Sequence, residues 1–371
     1  MSRGKAPLQI PSLDGIRAAS FMLVFLAHSG LEEVVPGGLG VTTFFFLSGF
    51  LITTLMRKEL EETGQVSFRH FYLRRALRIL PPFYTVLLGA ALLSSVGVLA
   101  GPPQLHPLLA QAFHFANYWT VRHGYDGQVG GTGVYWSLAV EEHFYLLFPM
   151  IFILLHRFLK SPRSRAAFLW AACLGILAWR CVLVFGADVI PNRTYLASDT
   201  RFDSILFGCA LALVGNPALD PATETSRARW LRLGLPASVA LMLGSLLFRE
   251  PRFRETFRYS LQGLALYPLF ICAVRNPQWG PFRLLNHPVA RRIGALSYSL
   301  YLLHHVVIFG VKHWLSIHPL FQSLIAFAIA YALAETIWRF IEKPCARLRG
   351  RLTQRSPVEA APVLAPAGSP Q

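Results

Sequence analysis

The sequence predicts an all-helical protein that crosses a membrane about ten times. Three observations carry this prediction: hydrophobic residues make up 54% of the 371-residue chain, charged residues make up 15%, and the mean hydropathy is +0.44. A soluble globular domain has about 25% charged residues. The chain therefore has too little polar surface for a soluble protein, and several apolar runs reach the ~20 residues that a helix needs to span a bilayer.

Ten apolar segments are long enough to form these membrane helices. They are residues 12–30, 39–57, 80–100, 133–156, 166–186, 199–215, 231–248, 258–275, 293–312 and 320–341. An eleventh segment, 104–119, is less apolar than the others.

The basic loops decide the predicted topology, because cytoplasmic loops carry an excess of Lys and Arg. The N-terminal MSRGK, the loops at 57–78 and 156–165 and the C-terminal region are basic, so all are predicted on the cytoplasmic side. Segment 104–119 then cannot cross, and we expect it to be re-entrant or to lie in the membrane plane, where protein or water covers its backbone. The loop at 249–258 is an exception, because it is basic although this topology places it outside.

The net charge of +16 is explained by these loops. No basic stripe with interleaved aromatic residues stands outside the membrane segments, so no nucleic-acid partner is expected. The five cysteines are scattered without CxxC spacing and predict neither a disulfide framework nor a metal site. We expect one membrane domain over residues 1–349 and a disordered cytoplasmic tail over 350–371, because the last residues are rich in Pro and Ala without periodicity.

The first segment contains two ionisable residues, Arg17 and His28. They are eleven residues apart, which places both on one helical face, about 16 Å apart along the axis. Arg17 is predicted near the cytoplasmic side and His28 near the outer side. The structural alternative is a snorkelling arginine and a histidine at a helix end, but ionisable residues inside a membrane more often mark a functional site.

Two adjacent carboxylates, Glu141 and Glu142, stand in the segment YWSLAVEEHFYLLFP. This segment is predicted to start outside, which puts them at the depth of His28. We expect one of them to face the protein interior and to be functional; the alternative is that both lie at the water interface.

Three arginines, Arg74, Arg75 and Arg78, precede the third membrane segment in FYLRRALRILPPFY. Arg74 and Arg78 share a helical face, and Arg75 lies beside Arg78. The positive-inside rule explains them in part. A cytosolic ligand rich in phosphate explains why they are clustered arginines, because a guanidinium binds phosphate in a bidentate way.

Further candidates for substrate contacts come from three other segments. Arg201 and Asp203 are predicted at an outer helix mouth, where they could pair with each other or hold a polar acceptor. Tyr298 and His304 lie in a membrane segment, and Trp136 lies in the same segment as Glu141 and Glu142, before them in the sequence. Each of these residue types is more often structural than functional when it stands alone.

Together these motifs resemble the membrane-bound acyltransferase 3 family. LDGIRA, GVTTFFFLSGFLI, FYLRRALRILPPFY, WSLAVEEHFYLLFP, RFDSILFGCALA, LSYSLYLLHHVV and IEKP follow one another in the order typical of that family, from about residue 10 to residue 345. The resemblance implies ten membrane helices in a bacterial cytoplasmic (inner) membrane, with both termini cytoplasmic. It also implies that His28, Arg17 and Glu141 are the family's functional histidine, arginine and carboxylate.

The resemblance further implies an O-acyltransferase that uses cytosolic acyl-CoA, with acetyl-CoA as the expected donor and no metal. The expected acceptor is a hydroxyl of a glycan, free or lipid-linked; a small glycosylated natural product is the alternative. Some relatives carry a C-terminal SGNH domain, which we do not expect after IEKP, so the membrane domain is expected to complete the transfer. The chain departs from the family at His143, where Gln is common, and at Leu303, where Trp is common.

In the expected mechanism the arginine cluster holds the CoA phosphates, and the pantetheine arm passes between the helices along a channel that Arg17 lines. His28 acts as general base on the acceptor hydroxyl, and Glu141 orients His28, as a carboxylate does in a catalytic triad. Two other functions fit a bundle with buried charges: a transporter or flippase for a lipid-linked or amphiphilic substrate, and a membrane scaffold without chemistry. Release of free CoA distinguishes the enzyme from both.

Overall fold

The computed structural model describes residues 10–354, and this part of the chain consists of helices and loops without strands. The predicted tail at 350–371 begins too early: residues 350–354 still belong to the last helix, and residues 355–371 lie outside the described part. The helices are α1 Leu13–Leu26, α2 Gly37–Thr63, α3 Phe68–Ser95, α4 Leu105–Ala112, α5 Ala116–His123, α6 Trp136–Phe158, α7 Pro162–Cys181, α8 Pro191–Leu196, α9 Ser198–Leu213, α10 Glu224–Arg229, α11 Leu235–Leu247, α12 Pro251–Glu255, α13 Phe257–Arg275, α14 Phe282–Leu285, α15 Pro288–Trp314, α16 Pro319–Ile337 and α17 Lys343–Gln354.

Four π-helical turns interrupt or extend these helices. Ala27–Leu31 continues α1, Val182–Gly186 continues α7, Trp230–Gly234 joins α10 to α11, and Trp338–Glu342 joins α16 to α17. The first of these turns carries His28. π-Helical turns are often found at functional sites.

All ten predicted membrane segments are helical, as α1, α2, α3, α6, α7, α9, α11, α13, α15 and α16. Among the described residues, eight helices are long and apolar enough to cross a membrane. The other two are α9, which has 16 residues, and α1, which carries Asp14 and Arg17. The chain is therefore a multi-pass membrane protein.

The buried centre of the bundle is α9, which packs against α2, α7 and α13. The α2–α9 contact depends on glycine, because a Cβ atom added at Gly208 would lie 1.9 Å from the carbonyl oxygen of Phe46. On the facing helix, a Cβ atom added at Gly49 would lie 2.0 Å from the carbonyl oxygen of Ile205. Small residues thus allow close packing of these two backbones, as is common between membrane helices.

The loops and helix ends gather at two opposite ends of the bundle. One end, which we call the arginine end, contains the start of α1, the end of α2 and the start of α3. Arg57 at the end of α2 pairs there with Asp220 at 2.6 Å, and Arg74 at the start of α3 pairs with Glu59 at 2.6 Å. The opposite end, which we call the histidine end, contains His28.

The segment 104–119 forms parts of two helices, α4 and α5, of eight residues each. A helix of that length is about 12 Å long, well short of the ~30 Å hydrocarbon core. Gln111 in α4 donates a hydrogen bond to Thr132 at 2.8 Å, and Asn117 in α5 donates one to Ser198 at 3.0 Å. Both short helices therefore sit at the histidine end, beside the starts of α6 and α9, in agreement with the prediction that 104–119 does not cross.

Candidate active site

Three adjoining cavities run from the arginine end to the histidine end. The arginine-end cavity, of about 280 Å³, and the middle cavity, of about 100 Å³, share Arg17, Arg78 and Tyr298 in their walls. The middle cavity and the histidine-end cavity, of about 1270 Å³, share Val41 and Tyr301. The two ionisable residues of the first segment thus lie along one polar route: Arg17 lines the first two cavities and His28 lines the third.

A cluster of three histidines stands where α1 meets α15. The Nδ1 atom of His28 lies 2.9 Å from Nε2 of His304, which is fully buried. The ring centroid of His305 lies 4.4 Å from that of His28. His28 and His305 line the histidine-end cavity, whereas His304 lies behind them.

The hydrogen bonds of this cluster fix the tautomers of neutral rings. Nδ1 of His304 lies 2.7 Å from the carbonyl oxygen of Tyr301, which can only accept, so this nitrogen carries the proton. Nε2 of His304 is then an acceptor, and Nδ1 of His28 must donate to it. Nε2 of His28 is left with a free lone pair, which is the form that a general base needs.

Glu141 does not contact His28, and the prediction that it orients His28 is wrong in this geometry, because His304 occupies that position. Glu141 Oε1 instead accepts a hydrogen bond from Ser48 at 2.7 Å, and Ser48 is bonded to the Tyr145 hydroxyl at 2.7 Å. Glu141 lines the middle cavity, as does Glu142. The carboxylates therefore lie on the route towards the histidines, with Arg75 and Arg78 in the same cavity wall.

The three predicted phosphate-binding arginines are not equivalent. Arg75 and Arg78 line the middle cavity, and the Arg75 guanidinium lies over the Tyr145 ring at 4.9 Å. Arg74 is engaged in its ion pair with Glu59. Arg17 lines the route, and its Nη1 atom contacts Asp14 at 2.7 Å.

Arg201 and Asp203 do not pair with each other. Asp203 forms a fully buried ion pair with Arg180 of α7 at 2.7 Å. Arg201 is also fully buried and donates to the carbonyl oxygen of Tyr195 at 3.2 Å and to Thr42 at 3.1 Å. Neither residue lies in the walls of the three cavities described above, so they hold the bundle behind the site.

The remaining predicted residues are placed as follows. Trp136 lines the histidine-end cavity and packs on Tyr195, with ring centroids 4.8 Å apart. Tyr298 lines the other two cavities, and its hydroxyl donates to the carbonyl oxygen of Ile79 at 2.9 Å. His143 turns away from the carboxylates and bonds to Ser198 at 2.8 Å.

Residues that the sequence interpretation missed include His305, Ser48 and Arg180. The sequence does contain a signal for His305, because the pair His304–His305 stands inside an apolar segment. A serine in an apolar helix carries no such signal. In the loop before α6, Tyr125 also lines the histidine-end cavity, and burial raises the pKa of its phenol. Its hydroxyl therefore stays protonated and can donate a hydrogen bond to a ligand.

The fold and the route together define a polytopic membrane protein with a polar path through its helical bundle. Comparison with known families is more specific: residues 10–339 match the acyltransferase 3 family, described as an acyltransferase domain. The chain belongs to this family. No solved structure matches it.

Individual relatives are O-acetyltransferases by name. The chain is 30% identical over 349 residues to a "Putative O-acetyltransferase" of Staphylococcus aureus strain COL, which covers 90% of this chain and 57% of the relative. It is 28% identical over 349 residues to the peptidoglycan O-acetyltransferase OatA of Listeria monocytogenes, with 90% and 55% covered. It is also 28% identical over 352 residues to the O-acetyltransferase OatA of Staphylococcus aureus strain NCTC 8325, with 91% and 57% covered. The chain thus spans little more than half the length of these relatives.

Proposed function

We propose that this protein transfers an acyl group, with acetyl as the expected group, from cytosolic acyl-CoA to a hydroxyl of a glycan. The observation that carries the proposal is the route from the arginine end to the three histidines. It offers phosphate-binding side chains at one end of the bundle and an imidazole with a free lone pair at the other. Membership of the acyltransferase 3 family and the names of its relatives support the same reaction class.

The proposed donor enters at the arginine end. Both basic loops of the first half of the chain lie there, which supports a cytoplasmic location for this end and a cytoplasmic-membrane location for the protein. Arg78, which lines both the arginine-end and the middle cavity, binds the phosphates, and the thin pantetheine arm extends past Arg75 through the middle cavity. The thioester then reaches the boundary with the histidine-end cavity at Tyr301.

The proposed acceptor occupies the histidine-end cavity, which is the largest of the three. Nε2 of His28 removes the proton from the acceptor hydroxyl as its oxygen attacks the thioester carbonyl. The C–S bond breaks, an O-acyl ester forms, and the thiolate of CoA takes up the proton from His28. No oxidant or further reactant is required, and the products are the acylated acceptor and free CoA.

The purified full-length protein in nanodiscs provides the test. With acetyl-CoA and a polysaccharide acceptor, the wild type is expected to release free CoA thiol and to acetylate the acceptor, as measured by mass spectrometry. His28→Ala should reduce both by about 10²–10⁴-fold, the range typical of a general base. His313→Ala is the matched control, since His313 is exposed near the same end of α15. Transport of the acceptor into sealed proteoliposomes without release of CoA would replace the proposal by a transporter. Near wild-type turnover of His28→Ala would remove His28 as the base.

A further inference from the structure

The last helix, α17, is amphipathic and presents one face to the arginine-end cavity. Ala346 and Arg349 of α17 line that cavity, as does Glu342, the last residue of the π-helical turn before α17; the three are spaced by four and three residues. Leu348 and Leu352 lie on another side of the helix and remain exposed. Such a helix, with a basic polar face, typically lies in the plane of the membrane interface.

The wall of this cavity is dominated by cations from three separate parts of the chain. Arg17 comes from α1, Arg78 from α3, and Lys343 and Arg349 from α17. One carboxylate, Glu342, lines the cavity with them, and its Oε1 atom accepts a hydrogen bond from Ser299 at 2.5 Å. The cations therefore exceed the carboxylates in this wall by four to one.

Packing of α17 against α3 brings like charges together. Arg349 of α17 and Arg78 of α3 line the same cavity, and Arg17 of α1 lies in the same wall. Arg17 and Arg74 also have carboxylate partners within the protein, Asp14 and Glu59. A polyanion that binds in this cavity would be attracted by the cations that line it.

We propose that α17 completes the donor site by binding the phosphates at the nucleotide end of acyl-CoA, with Arg349 and Lys343 opposite Arg78. The proposal rests on the proposed function for the identity of the donor. It extends the site beyond the predicted cluster at the start of α3 to a helix nearly 270 residues later in the chain.

The sizes of the cavities support this assignment of the two ends of the donor. The arginine-end cavity, at about 280 Å³, is larger than the middle cavity, at about 100 Å³, and the two share a wall. The arginine-end cavity also has Lys343 and Arg349 in its wall, and neither residue lines the middle cavity. We therefore place the nucleotide phosphates at the arginine end, where α17 lines the cavity.

The test compares charge-removing variants on the two faces of α17, in nanodiscs of phosphatidylcholine. Arg349→Gln and Lys343→Gln should each weaken binding of CoA, measured by calorimetry, by about tenfold, the loss expected for one charged contact. Arg347→Gln and Arg351→Gln are the matched controls, because both residues are exposed and neither lines the cavity. These controls should bind CoA like the wild type, and Arg349→Lys should largely restore the affinity.

A donor analogue and anionic lipid distinguish the CoA phosphates from a lipid headgroup as the ligand of these cations. With S-acetylpantetheine, which lacks the nucleotide phosphates, Arg349→Gln should turn over like the wild type. Equal losses with this analogue and with acetyl-CoA would show a structural role of Arg349 and overturn the proposal, as would equal effects of Arg349→Gln and Arg347→Gln. A defect of Arg349→Gln that appears only with anionic lipid would assign the cations to a lipid headgroup instead. Because calorimetry needs no turnover, a failure of the transfer reaction leaves this test intact.

Discussion

Replacing His304 by leucine should slow the acyl transfer without weakening the binding of acetyl-CoA. In the structure His304 Nε2 is the acceptor for the Nδ1–H group of His28. Leucine offers no acceptor, so His28 is free to place its proton on either nitrogen and to rotate its ring. A share of the molecules then presents a protonated Nε2 to the acceptor hydroxyl and cannot act as base.

The size of this effect follows from the hydrogen bond that is lost. The Nδ1–H group of His28 loses its acceptor, and leaving a partly buried donor unpaired costs about 1–3 kcal/mol. If this cost falls on the transition state, turnover decreases by about 10–100-fold, since each ~1.4 kcal/mol is a factor of ten. The KM for acetyl-CoA should stay unchanged, because His304 lines neither the middle cavity nor the arginine-end cavity.

The assay is release of CoA thiol under saturating donor, with a thermal unfolding curve for each variant. His304→Gln should retain more activity than His304→Leu, because an amide oxygen can replace Nε2 as acceptor. His156→Leu is the control: Nδ1 of His156 also bonds to a carbonyl of its own helix, Phe152, at 2.8 Å, but at the opposite end of the bundle. Wild-type turnover in folded His304→Leu would refute the reasoning, and so would equal losses in His304→Leu, His304→Gln and His156→Leu.

Three other predictions concern the donor route and the topology. Arg78→Ala should raise the KM for acetyl-CoA about tenfold, and high salt should raise the KM of the wild type in part. Arg74→Ala should change the KM little, because Arg74 is paired with Glu59. Equal KM values in both variants would mean that the CoA phosphates bind elsewhere. Glu141→Gln should lower turnover without moving the pH profile of kcat, because Glu141 does not contact His28; a displaced profile would restore the coupling between them. Cysteines placed at 101 and 128 in a Cys-free background should be labelled from the same side of the membrane, since α4 and α5 do not cross; labelling from opposite sides would contradict the topology.

Most of the fold could be predicted from the sequence because one physical quantity dominates it. Lipid-facing and buried helices both need long apolar runs, so hydropathy located all ten helices of the bundle. Loop charge then separated the in-plane segment 104–119 from the crossing ones. Hydropathy could not show that α9 is the buried centre, because a buried helix and a lipid-facing helix are equally apolar.

The site was harder to predict, because partner choice depends on helix rotation and neighbours. Glu141 was predicted at the depth of His28, but it lines the middle cavity with Arg75 and Arg78 and accepts a hydrogen bond from Ser48, whereas His28 lines the histidine-end cavity. For Arg201 and Asp203 the sequence did contain the answer: residues two apart on a helix do not face each other. Asp203 therefore found its cation, Arg180, on the neighbouring helix α7.

Under the proposed function, the separation of the donor and acceptor cavities predicts the kinetic pattern of the reaction. In that mechanism the donor enters at the arginine end and the acceptor at the histidine end, with the middle cavity, the smallest of the three, between them. If His28 activates the acceptor hydroxyl directly, both substrates must be bound at once, and initial rates should follow a sequential pattern in which the slopes of double-reciprocal plots depend on both concentrations. Parallel plots would instead indicate an acyl-enzyme and assign His28, or a neighbouring nucleophile, the role of carrying the acyl group between the two ends.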